Sequence, residues 1–250
     1  MNSSDPAPGA LGWLLVLESA TERGGVALLR AGQLVEAIDL APGLRHGRDL
    51  LPAAERLLKN WGVRTTELAA LAVSGGPGSY TGLRVGAMAG KALAWAGGQP
   101  LLGVSSLASL ALGLAALTPV APGEEVVALL PSRRDEVYLG HYRFSAHPPF
   151  PVEASPSRAL SPEEARDFIA SRVSRGVVHL AGSGFTAFPA VFPAPPPLLL
   201  YPPAGATGLL AWRQFLQGEY ADPLAFQPLY LSRDPGGGWS PDKLIISRPD

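Results

Sequence analysis

The chain has 250 residues, 47% of them hydrophobic and 16% charged, with a formal net charge of −1 and no cysteine. A chain of this length buries roughly 70–75% of the surface its unfolded form exposes, so its core needs no covalent staples. The lack of cysteine excludes disulfide frameworks, thiolate zinc sites and cysteine nucleophiles and fits a reducing cytosol. The near-neutral charge argues against a protein that grips nucleic acid alone through a broad cationic face.

In chain order, residues 1–12 read as a disordered leader. The first ten hold Asp5, two prolines and no basic residue, which excludes the n-region of an export signal. Residues 13–18 form a short apolar run that reads as a buried strand. Residues 25–30 and 34–40 follow it, with Ala31-Gly32 as the turn between them. Three strands joined by short turns predict an antiparallel meander. Leu50, Ala54, Leu57, Leu58 and Trp61 then recur at helical spacing over 50–61, with Asp49 as N-cap. Residues 68–74 predict another strand, 81–97 a helix, 101–104 a strand and 105–117 a helix, which completes a βββαβα first half. The stretch 92–123 carries no charge, but Gly97, Gly98, Pro100, Pro119 and Pro122 break it. Its longest helix-compatible piece, 105–118, falls short of the roughly 20 residues a bilayer requires, so no membrane span is expected.

Beyond residue 145 proline accumulates. Strands are predicted at 126–130, 136–144 and 177–181. One helix opens on Ser161-Pro162-Glu163-Glu164, and another covers 205–217. Residues 189–203 read as loop and 235–250 as a frayed tail. No internal repeat is visible in the sequence.

The usual catalytic signatures are missing. His46, His141, His147 and His179 include no pair three or four residues apart, as helix-borne metal ligands would be. No G-x-S-x-G elbow occurs, since Ser183 lies in the wrong frame. No phosphate-binding G-x-x-x-x-G-K-[ST] occurs either, because Lys59, Lys91 and Lys243 lack the glycine context. The most informative segment is GGPGSYTGLRVGAMAG at 75–90. Its Gly76, Pro77, Gly78, Ser79, Tyr80, Thr81, Gly82 and Arg84 form a glycine-rich turn from strand to helix. Such a turn can serve as an anion-binding nest or simply as a tight connection. Gly82, Gly86 and Gly90 lie four residues apart on one helix row. Each costs roughly 0.5–1 kcal/mol relative to alanine, and together they let another backbone approach closely. That backbone can be the protein's own sheet or another chain.

The runs LVLESATERGGVALL, RHGRDLLP, GGPGSYTGLRVG, VSSLASLA and RRDEVY, in this order, resemble the TsaB (YeaZ) family, densely over about 13–140 and thinly afterwards. The family is the bacterial subunit of the machinery that makes threonylcarbamoyladenosine beside the anticodon of tRNAs. The resemblance implies an α/β, actin-like, ribonuclease-H-type fold of two related lobes. Residues 13–103 would then form the N-terminal lobe, 104–232 a smaller proline-rich lobe and 233–250 a flexible tail. It further implies a cytoplasmic pseudo-enzyme that dimerises with the catalytic TsaD subunit or with itself. A TsaE-like ATPase binds that pair, and TsaC supplies threonylcarbamoyl-adenylate. Contact with tRNA would be indirect, and ATP or ADP and metal would sit on the partner subunits, with no cofactor of its own. The dimer interface is expected on the paired helices, at Leu50, Ala54, Leu57, Leu58, Trp61, Gly82, Gly86 and Gly90. Three departures from the family pattern speak against private nucleotide chemistry. Glu18 replaces the usual Asp after the first strand, Pro131 and Ser132 replace Asp and Ala, and Ala181-Gly182-Ser183-Gly184 stands where GDG is usual. The competing readings are an actin-like ATPase or metallopeptidase acting alone, and a homodimeric binding module outside translation.

Overall fold

The computed structural model describes residues 12–43, 46–132, 135–145, 150–193 and 195–231. The expected tail and all but residue 12 of the expected leader lie outside them, as does His147. Strands β1 (Trp13–Glu18), β2 (Gly25–Arg30) and β3 (Gln33–Asp39) form the antiparallel meander. Its hairpin turns through Ala31 and Gly32 at φ +50° and +75°. Positive φ at both turn residues matches the twist of the strands it joins. β4 (Leu68–Gly76) pairs parallel to β1, and β5 (Leu101–Ser105) pairs parallel to β4. The sheet order is therefore β3-β2-β1-β4-β5.

The central strands are apolar throughout because both faces of this sheet are covered. Leu15, Leu17, Val26, Leu28, Leu71 and Val73 face helices α1 (His46–Asn60) and α2 (Tyr80–Gly97). The alternate residues Leu14, Val16, Ala27, Leu29, Ala70 and Ala72 face α6 (Ala204–Gln217), with Ala204, Ala211 and Trp212 completing that core. This placement corrects the expected lobe boundary. Although α6 lies within residues 104–232, it is the second cover of the first sheet, since that sheet's apolar back face has to be buried.

Helix α3 (Ser106–Ala115) runs straight on from β5, capped by the Ser105 side chain, which accepts from the Ala108 amide. It packs Leu107, Leu110, Ala111 and Leu114 on Val126, Ala128, Leu130, Tyr138 and Tyr142 of the second sheet. That sheet comprises β6 (Glu125–Pro131), β7 (Val137–Phe144), β8 (Pro151–Leu160) and β9 (Val178–Ala181), in the order β8-β7-β6-β9. β6, β7 and β8 are antiparallel and β9 is parallel to β6. This repeats the β3-β2-β1-β4 arrangement of the first sheet. The two lobes are thus related in topology without any repeat in sequence, as the actin-like, ribonuclease-H-type fold requires. Helix α4 (Pro162–Val173), with its Ser161/Glu164 capping box, and the short α5 (Gly184–Ala187) cover the outer face.

β8 has no counterpart among the strands predicted from the sequence, and it carries Pro151 and Pro156 in the region where proline accumulates. The strand lies at the edge of its sheet, and Pro156 falls where the register with β7 shifts between the Leu139–Arg158 and His141–Ser155 pairs. Edges and bulges are where a strand tolerates a residue that cannot donate. Helix α1 starts at His46, four residues before the apolar stripe that predicted it. Among the described residues no helix is long and apolar enough to cross a membrane.

Candidate functional site

Glu18 ends β1 and is completely buried. Its Oε1 accepts from Ser74 Oγ at 2.6 Å and from the Ala20 amide at 3.0 Å, and its Oε2 accepts from Thr207 Oγ1 at 2.7 Å. Ser74 Oγ in turn accepts from the Ser19 amide at 2.8 Å, and Thr207 Oγ1 lies 3.0 Å from Ser109 Oγ. Burial pushes the Glu18 carboxyl above the usual carboxylate range, against the lowering effect of the Ser74, Ala20 and Thr207 hydrogen bonds and of His46. A protonated carboxyl suits the same cage. Oε2–H can donate to Thr207, whose own O–H then donates to Ser109 or to the Pro203 carbonyl at 3.3 Å. Glu18 therefore ties β1, β4, α3 and α6 together. Glu18, the position that the family resemblance would set toward a nucleotide's metal, is turned into the core with both oxygens occupied and does not suit such a group.

The glycine-rich turn packs against the chain that leaves β1. The Ser79 amide donates to the Ala20 carbonyl at 2.6 Å, and Ser79 Oγ caps α2 by accepting from the Gly82 amide at 3.2 Å. Two of the amides that an anion nest would offer are thus spent internally. A Cβ on Gly78 would stand 2.3 Å from the Ala20 carbonyl oxygen, so glycine is required there by close approach. His46 holds the chain that leaves β1. Its Nε2 lies 2.6 Å from the Thr21 carbonyl, which only accepts, so this nitrogen carries the proton.

The glycine row faces inward, contrary to the expected interface. Built Cβ atoms would fall 2.2 Å from the Ser19 carbonyl oxygen at Gly82, 2.2 Å from Ser19 Oγ at Gly86 and 2.4 Å from Val73 Cγ1 at Gly90. The row lets α2 lie close on β1 and β4. Leu50, Ala54, Leu57 and Leu58 are likewise buried in the protein's own core. Trp61 is half-exposed, with its ring centroid 6.4 Å from that of Trp13 and its Nε1 donating to Glu36. The outward face of the two helices carries other residues: Leu51 (47% exposed), Met88 (67%) and Trp95 (71%). A groove of about 600 Å³ runs between α1 and α2, lined by Leu51, Pro52, Leu58 and Leu93 among others. Met88 and Trp95, seven residues apart and so on one helix face, were the signal available in the sequence.

Two clefts open where the lobes meet. One, of about 340 Å³, lies between Ala20, Thr21, Glu22 and Ser79 of the first lobe and Leu130, Pro131 and Ser183 of the second. The Tyr201 hydroxyl donates to Glu22 at its edge. The other, of about 460 Å³, is lined by Ser79, Tyr80, Thr81, Ser132, Tyr138 and Tyr230 among others. Arg84 holds its guanidinium 4.1 Å from the centroid of the Tyr80 ring. Of the expected turn residues, Gly78 and Ser79 line both clefts, while Tyr80 and Thr81 line only the second.

Comparison with known proteins bears on what this arrangement serves. The family model for TsaD, tRNA N6-adenosine threonylcarbamoyltransferase, matches residues 43–147. The tRNA threonylcarbamoyladenosine biosynthesis protein TsaB of Haemophilus influenzae is 36% identical over 126 residues, 50% of this chain and 52% of that protein. Its Escherichia coli counterpart is 33% identical over 130 residues, covering 52% and 54%. The chain thus matches about half the length of these curated relatives. A Pseudomonas aeruginosa crystal structure, described as an uncharacterized protein with similarity to peptidase YeaZ, superposes with a TM-score of 0.78 at 30% identity, over 88% of this chain and 100% of that one. The chain belongs to the TsaB/YeaZ family. A second structure, YeaZ from Pseudomonas aeruginosa, agrees with a TM-score of 0.71.

In this YeaZ-family chain the described histidines have structural partners. His141 Nε2 pairs with Glu125 at 2.9 Å and His179 Nε2 with Glu124 at 2.7 Å, while His46 holds the Thr21 carbonyl. Among the described residues no three His, Asp or Glu stand close enough to hold a metal ion.

Proposed function

We propose that this chain is a non-catalytic subunit of the cytoplasmic machinery that adds a threonylcarbamoyl group to the adenosine beside the anticodon of tRNAs. It dimerises with a TsaD-like catalytic subunit and supports it. The TsaB names of the curated relatives support the pathway, and the likeness to YeaZ over 88% of this chain supports the family. The observation that carries the non-catalytic reading is Glu18. The family's acid after the first strand is sealed in a cage of hydroxyl and amide donors, away from both clefts.

Partner contact runs through the outward face of α1 and α2, with Leu51, Met88 and Trp95 as anchors and the α1/α2 groove beside them. Exposed apolar residues grouped on two adjacent helices are what a helix-pair interface needs. The same face serves a homodimer when the partner is absent. A TsaE-like ATPase joins the complex, and nucleotide and metal belong to the partner subunits.

The test is reconstitution by omission. Purified TsaD-, TsaC- and TsaE-like proteins with tRNA, ATP, threonine and bicarbonate should form threonylcarbamoyladenosine only when this chain is added. The chain alone should release no phosphate from ATP above a heat-killed control. Full modification without it, or ATP turnover by it alone, overturns the proposal and favours an independent actin-like ATPase.

A further inference from the structure

The second interlobe cleft is lined mainly by tyrosine rings and hydroxyl side chains. After α6 the chain returns across the first lobe. The Ala221 amide donates to the Leu101 carbonyl at 2.8 Å, and Lys91 Nζ donates to the Leu224 and Phe226 carbonyls at 3.0 and 3.1 Å. The Leu229 amide donates to the Gly75 carbonyl at 2.7 Å, which fixes the next residue, Tyr230, beside the glycine-rich turn. There the Tyr230 and Tyr80 ring centroids are 5.0 Å apart, with Arg84 stacked on Tyr80. Tyr230, tilted 43° to Tyr80 and 38% exposed, presents its ring at the cleft, and Arg84 lies on Tyr80 just outside the cleft lining. Tyr138 stands in the wall, and Ser79, Thr81 and Ser132 supply hydroxyls. No carboxylate is among the described residues lining the cleft, and Pro131 is the one aliphatic side chain among them.

A surface of phenol rings and hydroxyls, with the Arg84 guanidinium beside it on Tyr80, suits a planar, hydrogen-bonding base attached to a phosphate. We infer that this cleft binds an unpaired nucleotide of RNA, its base stacked on Tyr230 and its phosphate toward Arg84. The inference rests on the tRNA-modification reading for the identity of the RNA. It assigns this chain a direct contact in place of the indirect one expected. The near-neutral net charge implies that this contact is weak and salt-sensitive in the chain alone, measurable at low salt, and serves to position an RNA held mainly by the whole complex.

The probe is a fluorescein-labelled RNA hairpin with the sequence of an anticodon arm, titrated into the full chain at low salt and followed by anisotropy. A fully paired duplex of the same stem is the control, and AMP is the competitor. The hairpin should bind and the duplex should not. Tyr230→Ala should weaken hairpin binding roughly 5- to 150-fold, the range measured for loss of one stacked base, and Tyr230→Phe should stay within about twofold. Arg84→Ala should lower the slope of log affinity against log salt by about 0.7. Thr81→Glu guards against loss of fold. A carboxylate in the first turn of α2 suits the helix dipole, so the thermal midpoint should hold while the RNA phosphate is repelled and binding falls. Equal binding of duplex and hairpin, no hairpin binding, or wild-type affinity in both Tyr230→Ala and Thr81→Glu overturns the assignment. AMP displacing the hairpin at concentrations below the hairpin's own dissociation constant overturns it in favour of a free mononucleotide. The reconstitution assay is scored separately. A chain that supports modification while failing the hairpin test leaves the tRNA reading standing and removes this site alone.

Discussion

The inward glycine row makes a graded prediction. Gly82→Ala and Gly86→Ala add the same methyl group to the same helix, but the walls they meet differ. At Gly82 the new Cβ would lie 2.2 Å from the carbonyl oxygen of Ser19. That residue is fully buried, with its amide held by Ser74, so the helix or the strand end has to move. At Gly86 the nearest atom is Ser19 Oγ, also at 2.2 Å, and this hydroxyl has no hydrogen-bond partner to lose on turning aside. Overpacking costs about 1–3 kcal/mol, and replacing a helical glycine by alanine returns at most about 1 kcal/mol. Gly82→Ala should therefore lose about 1–2 kcal/mol, and Gly86→Ala should lie within about 1 kcal/mol of wild type. Gly86→Leu drives four carbons into the same spot and should lose about 3 kcal/mol or more. At about 2–4 °C per kcal/mol for a protein of this size, the expected drops are roughly 2–8 °C, near zero and at least 6 °C. Thermal unfolding by circular dichroism gives the order, and light scattering gives the mass. A Gly86→Leu chain that keeps its unfolding temperature and loses its partner would refute the inward packing.

Three further outcomes follow from the same geometry. Met88→Asp with Trp95→Asp should abolish association with the TsaD-like subunit while moving the unfolding midpoint by no more than about 2 °C, since both side chains stand mostly in solvent; a stable complex of normal mass would refute the α1/α2 face as the interface. Glu18 has a folded pKa above its unfolded value, so the stability it contributes is present below about pH 4.5 and is lost as pH rises through the folded value; Glu18→Gln, which mimics the protonated acid, should gain on wild type in urea titrations between pH 5 and pH 8, and a flat or falling difference contradicts the buried cage. Burial lowers the pKa of His141 against the raising effect of Glu125, so its contribution is complete above about pH 6.5 and is lost as pH falls through the folded value; an NMR titration midpoint above that of a solvated histidine would contradict this.

Much of the first lobe was legible because local signals agree there. The Ala31-Gly32 turn, the apolar β1 and the strand–glycine–helix order of 68–97 each point to one structure. Which face of α2 is buried was ambiguous from periodicity, because a helix with a buried glycine row and an exposed Met88/Trp95 row shows small and apolar residues on both sides, and the seven-residue spacing of Met88 and Trp95 was the one cue. Burial is set by the sheet beneath, which lies far away in sequence. The Glu18 cage needed Ser74, Ser109 and Thr207, which stand 56 to 189 residues along the chain from the acid or from one another's partners, and only folding brings them together. β8 was hidden by prolines that an edge strand accommodates. The return of α6 to the first sheet was hidden by chain order.

The central claim is that this chain is required for threonylcarbamoylation of tRNA without performing the chemistry. Deleting its gene in the native cell and measuring threonylcarbamoyladenosine in total tRNA by nucleoside mass spectrometry tests it most directly. The modified nucleoside should disappear, return with the wild-type chain and with Glu18→Gln, and fail to return with the Met88→Asp, Trp95→Asp chain. Unchanged levels after deletion, or rescue by the chain with the altered helix face, would contradict it.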